Sequence, residues 1–195
     1  MLGSAKDRET LARLKAMAAA PEEQAAFAVK LLEARQSLLI VQAALEVLSE
    51  TPLLSARPAL LKRYEHFDAD GARRDSGGMF RILIIKAIRG LGRQDDVSLL
   101  EHASSTYEYS LIDRSEIGSA LRAEALTALA DFDPDMAAYH AARLLVDPLT
   151  DPMSGEPAVT AARVLTALGQ LVPLYGYVHA SPVSFPELTA EALRG

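Results

Sequence analysis

The sequence predicts an all-α protein, and three observations carry that prediction. The composition is 50% hydrophobic but only 6% aromatic, with no Trp. Alanine and leucine dominate it; both are strong helix formers, whereas strands draw on aromatic and β-branched residues. Apolar residues recur at helical rather than alternating spacing. A helical pattern also returns four times along the chain, with Pro- and Asp-containing turns between the copies.

The elements follow in chain order. Near the N-terminus, Leu11, Leu14, Met17 and Ala18 fall on one helical face, and Ser4 is placed to cap that helix. The segment has no secretory apolar core. The longest apolar run, "SLLIVQAAL", is too short to span a bilayer. The expectation is a cytoplasmic protein without a membrane segment.

The repeat begins next. Ile40, Ala44, Leu45 and Leu48 share offsets with Leu83, Ala87, Ile88 and Leu91, then with Leu121, Ala125, Leu126 and Leu129, then with Thr160, Val164, Leu165 and Leu168. These offsets place each quartet on one helix face. Successive copies lie 43, 38 and 39 residues apart. A second helix is expected after each, beginning near Pro52, Gln94, Pro134 and Pro173, since proline suits a first turn. Asp133 is a good cap for the third of these. His-Ala at 102–103, 140–141 and 179–180 offers a register for the second helices.

One helix pair of this length cannot bury its apolar stripe alone, so stacking of pairs is expected. The pairs are 36–67, 76–110, 115–147 and 156–181, within a single repeat domain over 1–195. Segments 1–35 and 184–195 serve as helical caps.

Period, pair layout and the segment "LRAEALTALADFDPD" resemble bacterial HEAT repeats of the armadillo-type superhelix. The resemblance is strongest over 115–169. It implies a right-handed α-α superhelix, a HEAT/armadillo-like solenoid of about four helix pairs. In such repeats the second helices line the concave face, which by resemblance brings His102, Tyr139 and His140 toward it. Fold of this kind fixes function poorly.

Connectors within pairs are short, whereas those between pairs are longer and polar: 68–78, 107–116 and 147–157. In a solenoid these three emerge along one rim. That makes Arg73, Arg74, Tyr109, Asp113, Arg114, Asp151 and Glu156 candidate partner-binding residues. The simpler reading is that these connectors only turn the chain, with Thr150 or Ser154 available to cap the next helix.

Charge is unevenly spread. The net charge is −6, yet residues 57–93 carry +5 and residues 94–160 carry −10. Such asymmetry orients charged partners. There is no Cys, which removes disulfides and thiolate chemistry. Equivalent histidines in adjacent repeats lie about a helix-packing distance apart, so one zinc cannot easily use all three, which leaves His102 with a rim carboxylate as the remaining metal option. Asp147, Asp151, Ser154 and Glu156 lack EF-hand spacing, and "GARRDSGG" lacks the phosphate-loop pattern. Nothing calls for a cofactor, a metal or a catalytic residue.

The expected function is therefore a non-catalytic scaffold or adaptor that binds a protein partner, with its oligomeric state open. A nucleic-acid-binding protein, related in architecture to HEAT-like alkylpurine DNA glycosylases, is the alternative; the acidic half opposes it. A HEAT-type lyase acting on a small ligand, as in bilin-attachment proteins, ranks third.

Overall fold

Side-chain caps and first-turn prolines mark some of the helix starts. A computed structural model describes residues 4–92, 94–180 and 186–194, and these residues form helices and connectors without a strand. The α-helices are α1 (Ala5–Ala16), α2 (Pro21–Glu33), α3 (Leu38–Glu50), α4 (Arg57–Asp68), α5 (Gly71–Arg74) and α6 (Met79–Leu91). They continue with α7 (Val97–Ser104), α8 (Ser119–Phe132), α9 (Pro134–Leu145), α10 (Ala158–Ala167), α11 (Leu171–Ala180) and α12 (Pro186–Arg194). Ser4 and Asp7 form a reciprocal capping box on α1. Asp133 caps α9 by accepting from the Met136 amide, with Pro134 in the first turn. Among the described residues no helix is long and apolar enough to cross a membrane.

Several expected boundaries move, among them the second helix of the second pair, which starts at Val97 behind a 3-10 turn, Gln94–Asp96. The second helix of the first pair starts at Arg57 behind a 3-10 turn, Leu54–Ala56, so Pro52 lies ahead of it. Connector 68–78 is not all loop: Gly71–Arg74 winds one helical turn, with Arg73 and Arg74 exposed on it.

The helices group into two compact units, 1–70 with 79–93, and 71–78 with 94–195. In the first, α3 packs on α1, α2 and α6, and α4 packs on α2 and α6. Its core holds Ile40, Val41, Leu45, Leu48, Ile84, Ile85 and Ile88. Phe67 and Phe80 stack there with ring centroids 4.6 Å apart. In the second unit, α8 packs on α7, α9 and α10, and α10 also meets α9, α11 and α12. Leu100, Leu121, Leu126, Leu129, Leu144 and Leu165 fill that core.

Burial corrects the repeat register. Ile40, Val41, Ala44, Leu45 and Leu48 form the buried stripe of α3. Phe80, Arg81, Ile84, Ile85 and Ile88 repeat it in α6, and Leu121, Arg122, Ala125, Leu126 and Leu129 repeat it in α8. The shifts between stripes are 40 and 41 residues rather than 43 and 38. In α10 the matching positions are Ala158, Ala161, Ala162 and Leu165, 36 residues beyond those of α8. Leu83, Leu91, Thr160 and Leu168 are accordingly only half-buried. Apolar residues cover more than one face of α6, so periodicity alone chose the wrong edge of the stripe. The arginines hid the right one, because a charged residue reads as exterior until its partners are seen.

Candidate functional site

Arg122 organises the second unit. It lies in the second turn of α8, on the buried stripe, and its side chain is 0% exposed. Nη1 donates to Glu116 Oε1 at 2.6 Å and to the Thr106 carbonyl at 3.1 Å. Nη2 donates to Glu116 Oε2 at 3.1 Å and to the Leu149 carbonyl at 3.4 Å. Nε lies 3.3 Å from Asp147 Oδ2 as an ion pair. The guanidinium carbon sits 4.1 Å over the Tyr107 ring, a cation–π contact. Only arginine has this planar fork with five donors, which lets one side chain address carboxylate and carbonyl partners together.

Those partners belong to two connectors. Tyr107 and Glu116 come from 107–116, and Asp147 and Leu149 come from 147–157. The Tyr107 hydroxyl donates to Asp147 Oδ2 at 3.1 Å, and the Leu149 amide donates to Asp147 Oδ1 at 2.9 Å. Burial, reinforced by the Asp147 charge, raises the Tyr107 pKa against the opposing pull of Arg143 and Arg122. One buried cation thus anchors both polar connectors to α8.

Each connector is also closed on itself. In 107–116 the Ile117 amide donates to the Glu108 carbonyl and the Ser110 amide to the Ser115 carbonyl. Arg114 turns the tip at φ 62°, in the left-handed region. Hydrogen bonds from the Ser110 and Ser115 hydroxyls, with the Ser115 amide, hold the Asp113 pKa down at about 2. In 147–157 Asp151 Oδ1 accepts from the Met153 and Ser154 amides and from the Ser154 hydroxyl. These bonds, those of Ser154 foremost, lower the Asp151 pKa. Glu156 Oε2 accepts from the Thr160 amide in the first turn of α10 at 3.2 Å. Glu156, not Thr150 or Ser154, therefore serves that helix start: the Thr150 hydroxyl donates back to the Asp147 carbonyl and Ser154 to Asp151.

These hydrogen-bonded connectors, with the residue preceding the second, hold apolar side chains in solvent. Ile112 and Met153 are each 96% exposed, and Leu111, Tyr109 and Val146 are exposed as well. In the chain Asp113 follows Ile112, and Asp151 and Glu156 flank Met153. The hydrogen bonds described for these acids stay within their own connector or reach the helix start beside it. Ile112 and Met153 escaped the sequence reading because an isolated apolar residue in a polar loop carries no periodic signal.

The histidine candidates separate. His102 and Tyr139 are exposed, whereas His140 is 6% exposed. Burial in α7 and α9 matches at a shift of 37, with Leu100, Ala103 and Ser104 facing Ala137, His140 and Ala141 in the alignment. The His-Ala register is one residue off, and one residue turns a helix by about 100°. His140 is thus a packed side chain and not a surface contact.

Its Nδ1 lies 3.0 Å from Ser104 Oγ and 3.3 Å from Arg143 Nη2. The Ser104 hydroxyl donates to the Glu101 carbonyl at 2.9 Å, and the other ring nitrogen, Nε2, faces Glu101 Oε1 at 4.0 Å. Burial first and the Arg143 charge second lower the His140 pKa, with Glu101 opposing them. Among the described residues no group of three His, Asp or Glu side chains is placed to hold a metal ion.

Comparison with family models, with curated proteins and with solved structures finds no match to this chain.

Proposed function

We propose that this protein is a cytoplasmic, non-catalytic interaction scaffold whose connectors 107–116 and 147–157 dock a protein partner. The observation that carries the reading is the pairing of loops anchored by buried hydrogen bonds with exposed apolar side chains. Two loops are anchored by a single buried arginine, and each presents a side chain that is 96% exposed. Scattered exposed hydrophobics need no explanation. Fully exposed ones on loops fixed by buried ion pairs are preorganised, which lowers the entropy lost on binding. The acids beside them favour a partner with a basic rim.

The finer fold reading belongs to the same proposal: helix pairs of a right-handed HEAT-like solenoid, α8–α9 and α10–α11 among them. Packing of first helix on first helix supports it, seen for α3 with α6 and for α8 with α10. So does the contact of each second helix with the next first helix, α4 with α6, α7 with α8 and α9 with α10.

Affinity capture from the native host, using the wild-type chain and an Ile112→Ser/Met153→Ser variant, tests the function. Loss of two apolar contacts at a docking centre should weaken capture by about tenfold or more, with an unchanged melting temperature. Equal capture by both proteins overturns the assignment of these loops.

A further inference from the structure

We propose that the first compact unit carries a second binding site, a cleft between the end of α2 and one face of α4 that takes an acidic peptide segment. This site goes beyond the loop-borne surface and lies in the other unit. The cleft measures about 480 Å³, within the size range of ligand sites. Leu32, Pro58 and Ala59 give it apolar walls. Arg35 stands on the α2 side, while Lys62 and His66 stand on the α4 side. Pro58, Lys62 and His66 follow one another at four-residue spacing, so they share one face of α4.

Arg63 makes this a built site. Its Nε and Nη2 donate to the Leu32 carbonyl at 3.0 and 2.7 Å, and Nη2 donates to the Ala34 carbonyl at 3.0 Å. The fork fixes α4 against the end of α2 and so sets the separation of the walls. It also satisfies the carbonyls and the negative dipole end of α2. Arg35 and Lys62, both exposed, are left directed at solvent, with Glu33 as the acid of the cleft.

The openness of the cleft selects the occupant. Single exposed ion pairs are weak and screened by salt, so a free inorganic anion gains little here. A segment with carboxylates on either side of an apolar residue reaches Arg35, Lys62 and the apolar wall at once.

The probe is a fluorescein-labelled Glu-Glu-Leu-Glu-Glu peptide, followed by fluorescence anisotropy on the full chain at low ionic strength. Binding is expected, reduced about tenfold or more by Arg35→Glu/Lys62→Glu and progressively by added salt. Both positions are exposed, and circular dichroism checks that the variant stays folded. Four results overturn the proposal: no binding at low salt, equal binding by the variant, displacement by inorganic phosphate at constant ionic strength, or a duplex-DNA mobility shift that the same variant abolishes. Failure with this defined peptide leaves the connector surface to its own capture test.

Discussion

Arg122 shows how much a single side chain decides. Both of its acidic partners are nearly sequestered, with side chains 6% and 1% exposed for Glu116 and Asp147. Replacing the cation alone leaves two carboxylates without compensation in a low-dielectric setting. Arg122→Met should therefore lower stability by about 3–5 kcal/mol in urea unfolding. Adding Glu116→Gln and Asp147→Asn should return part of that loss, because the stranded charges go with it. A triple variant no more stable than Arg122→Met would show that the cost lies in packing rather than in charge. The sequence shows Arg122 inside an apolar stretch but not its carboxylate partners, one of which lies 25 residues further on.

His140 gives the second prediction at this scale. Its folded pKa lies below its ordinary value of 6.5. The unfolded chain then takes up a proton that the folded chain refuses as pH falls through that value. Stability should be unaffected above pH 7 and should decline as pH drops from about 6.5 to the folded pKa, by at most about 1.4 kcal/mol per pH unit. In His140→Asn the side-chain amide can hydrogen-bond where Nδ1 does, and the variant does not titrate. Urea midpoints at pH 7 and pH 5 should differ in the wild type more than in this variant. Parallel losses in both would remove His140 as the source.

At the scale of elements, the connectors are where the sequence was least legible. The turn at Asp133 and the start of α9 could be read directly, because a side-chain cap and a first-turn proline agree there. Connector 147–157 could be read only as a turn, since its order rests on Asp151 and Glu156 bonding to amides that no pattern announces. Gly155 illustrates the difference. It adopts φ 70°, and an added Cβ would meet Val159 Cγ2 at 2.7 Å. Gly169, at φ 68°, ends α10 with open space beside it, and the Gln170 amide closes the turn on the Leu165 carbonyl. Gly169→Ala should cost about 1–2 kcal/mol, the left-handed penalty alone. Gly155→Ala bears that penalty and a steric one, so its loss should be the larger. Thermal unfolding of the two variants measures the order, and equal losses would mean that Val159 yields freely.

For the whole molecule, recurrence was legible while register was not. Four copies of a helical stripe can be counted in the sequence, but buried Arg81 and Arg122 mark the stripe's edge only once Asp68, Glu116 and Asp147 are seen beside them. The same carboxylate chemistry shapes the acid limb of stability. The Asp113 pKa is held at about 2 and that of Asp151 is lowered, both by hydrogen bonds to the charged form. A depressed folded pKa contributes stability that is fully present above the unfolded value and is lost as pH falls through the folded one. Above about pH 4 both loops should therefore keep their closure, and between about pH 4 and pH 2 the unfolded chain gains protons first. Protonated Asp151 no longer draws the Met153 and Ser154 amides, and protonated Asp113 no longer draws Ser115. Hydrogen exchange read by mass spectrometry at decreasing pH, corrected for intrinsic rates, should show 107–116 and 147–157 losing protection before α8 and α9 do. Simultaneous loss in loops and helices would mean that the buried Arg122 cluster, not the loop carboxylates, sets the acid limit of the fold.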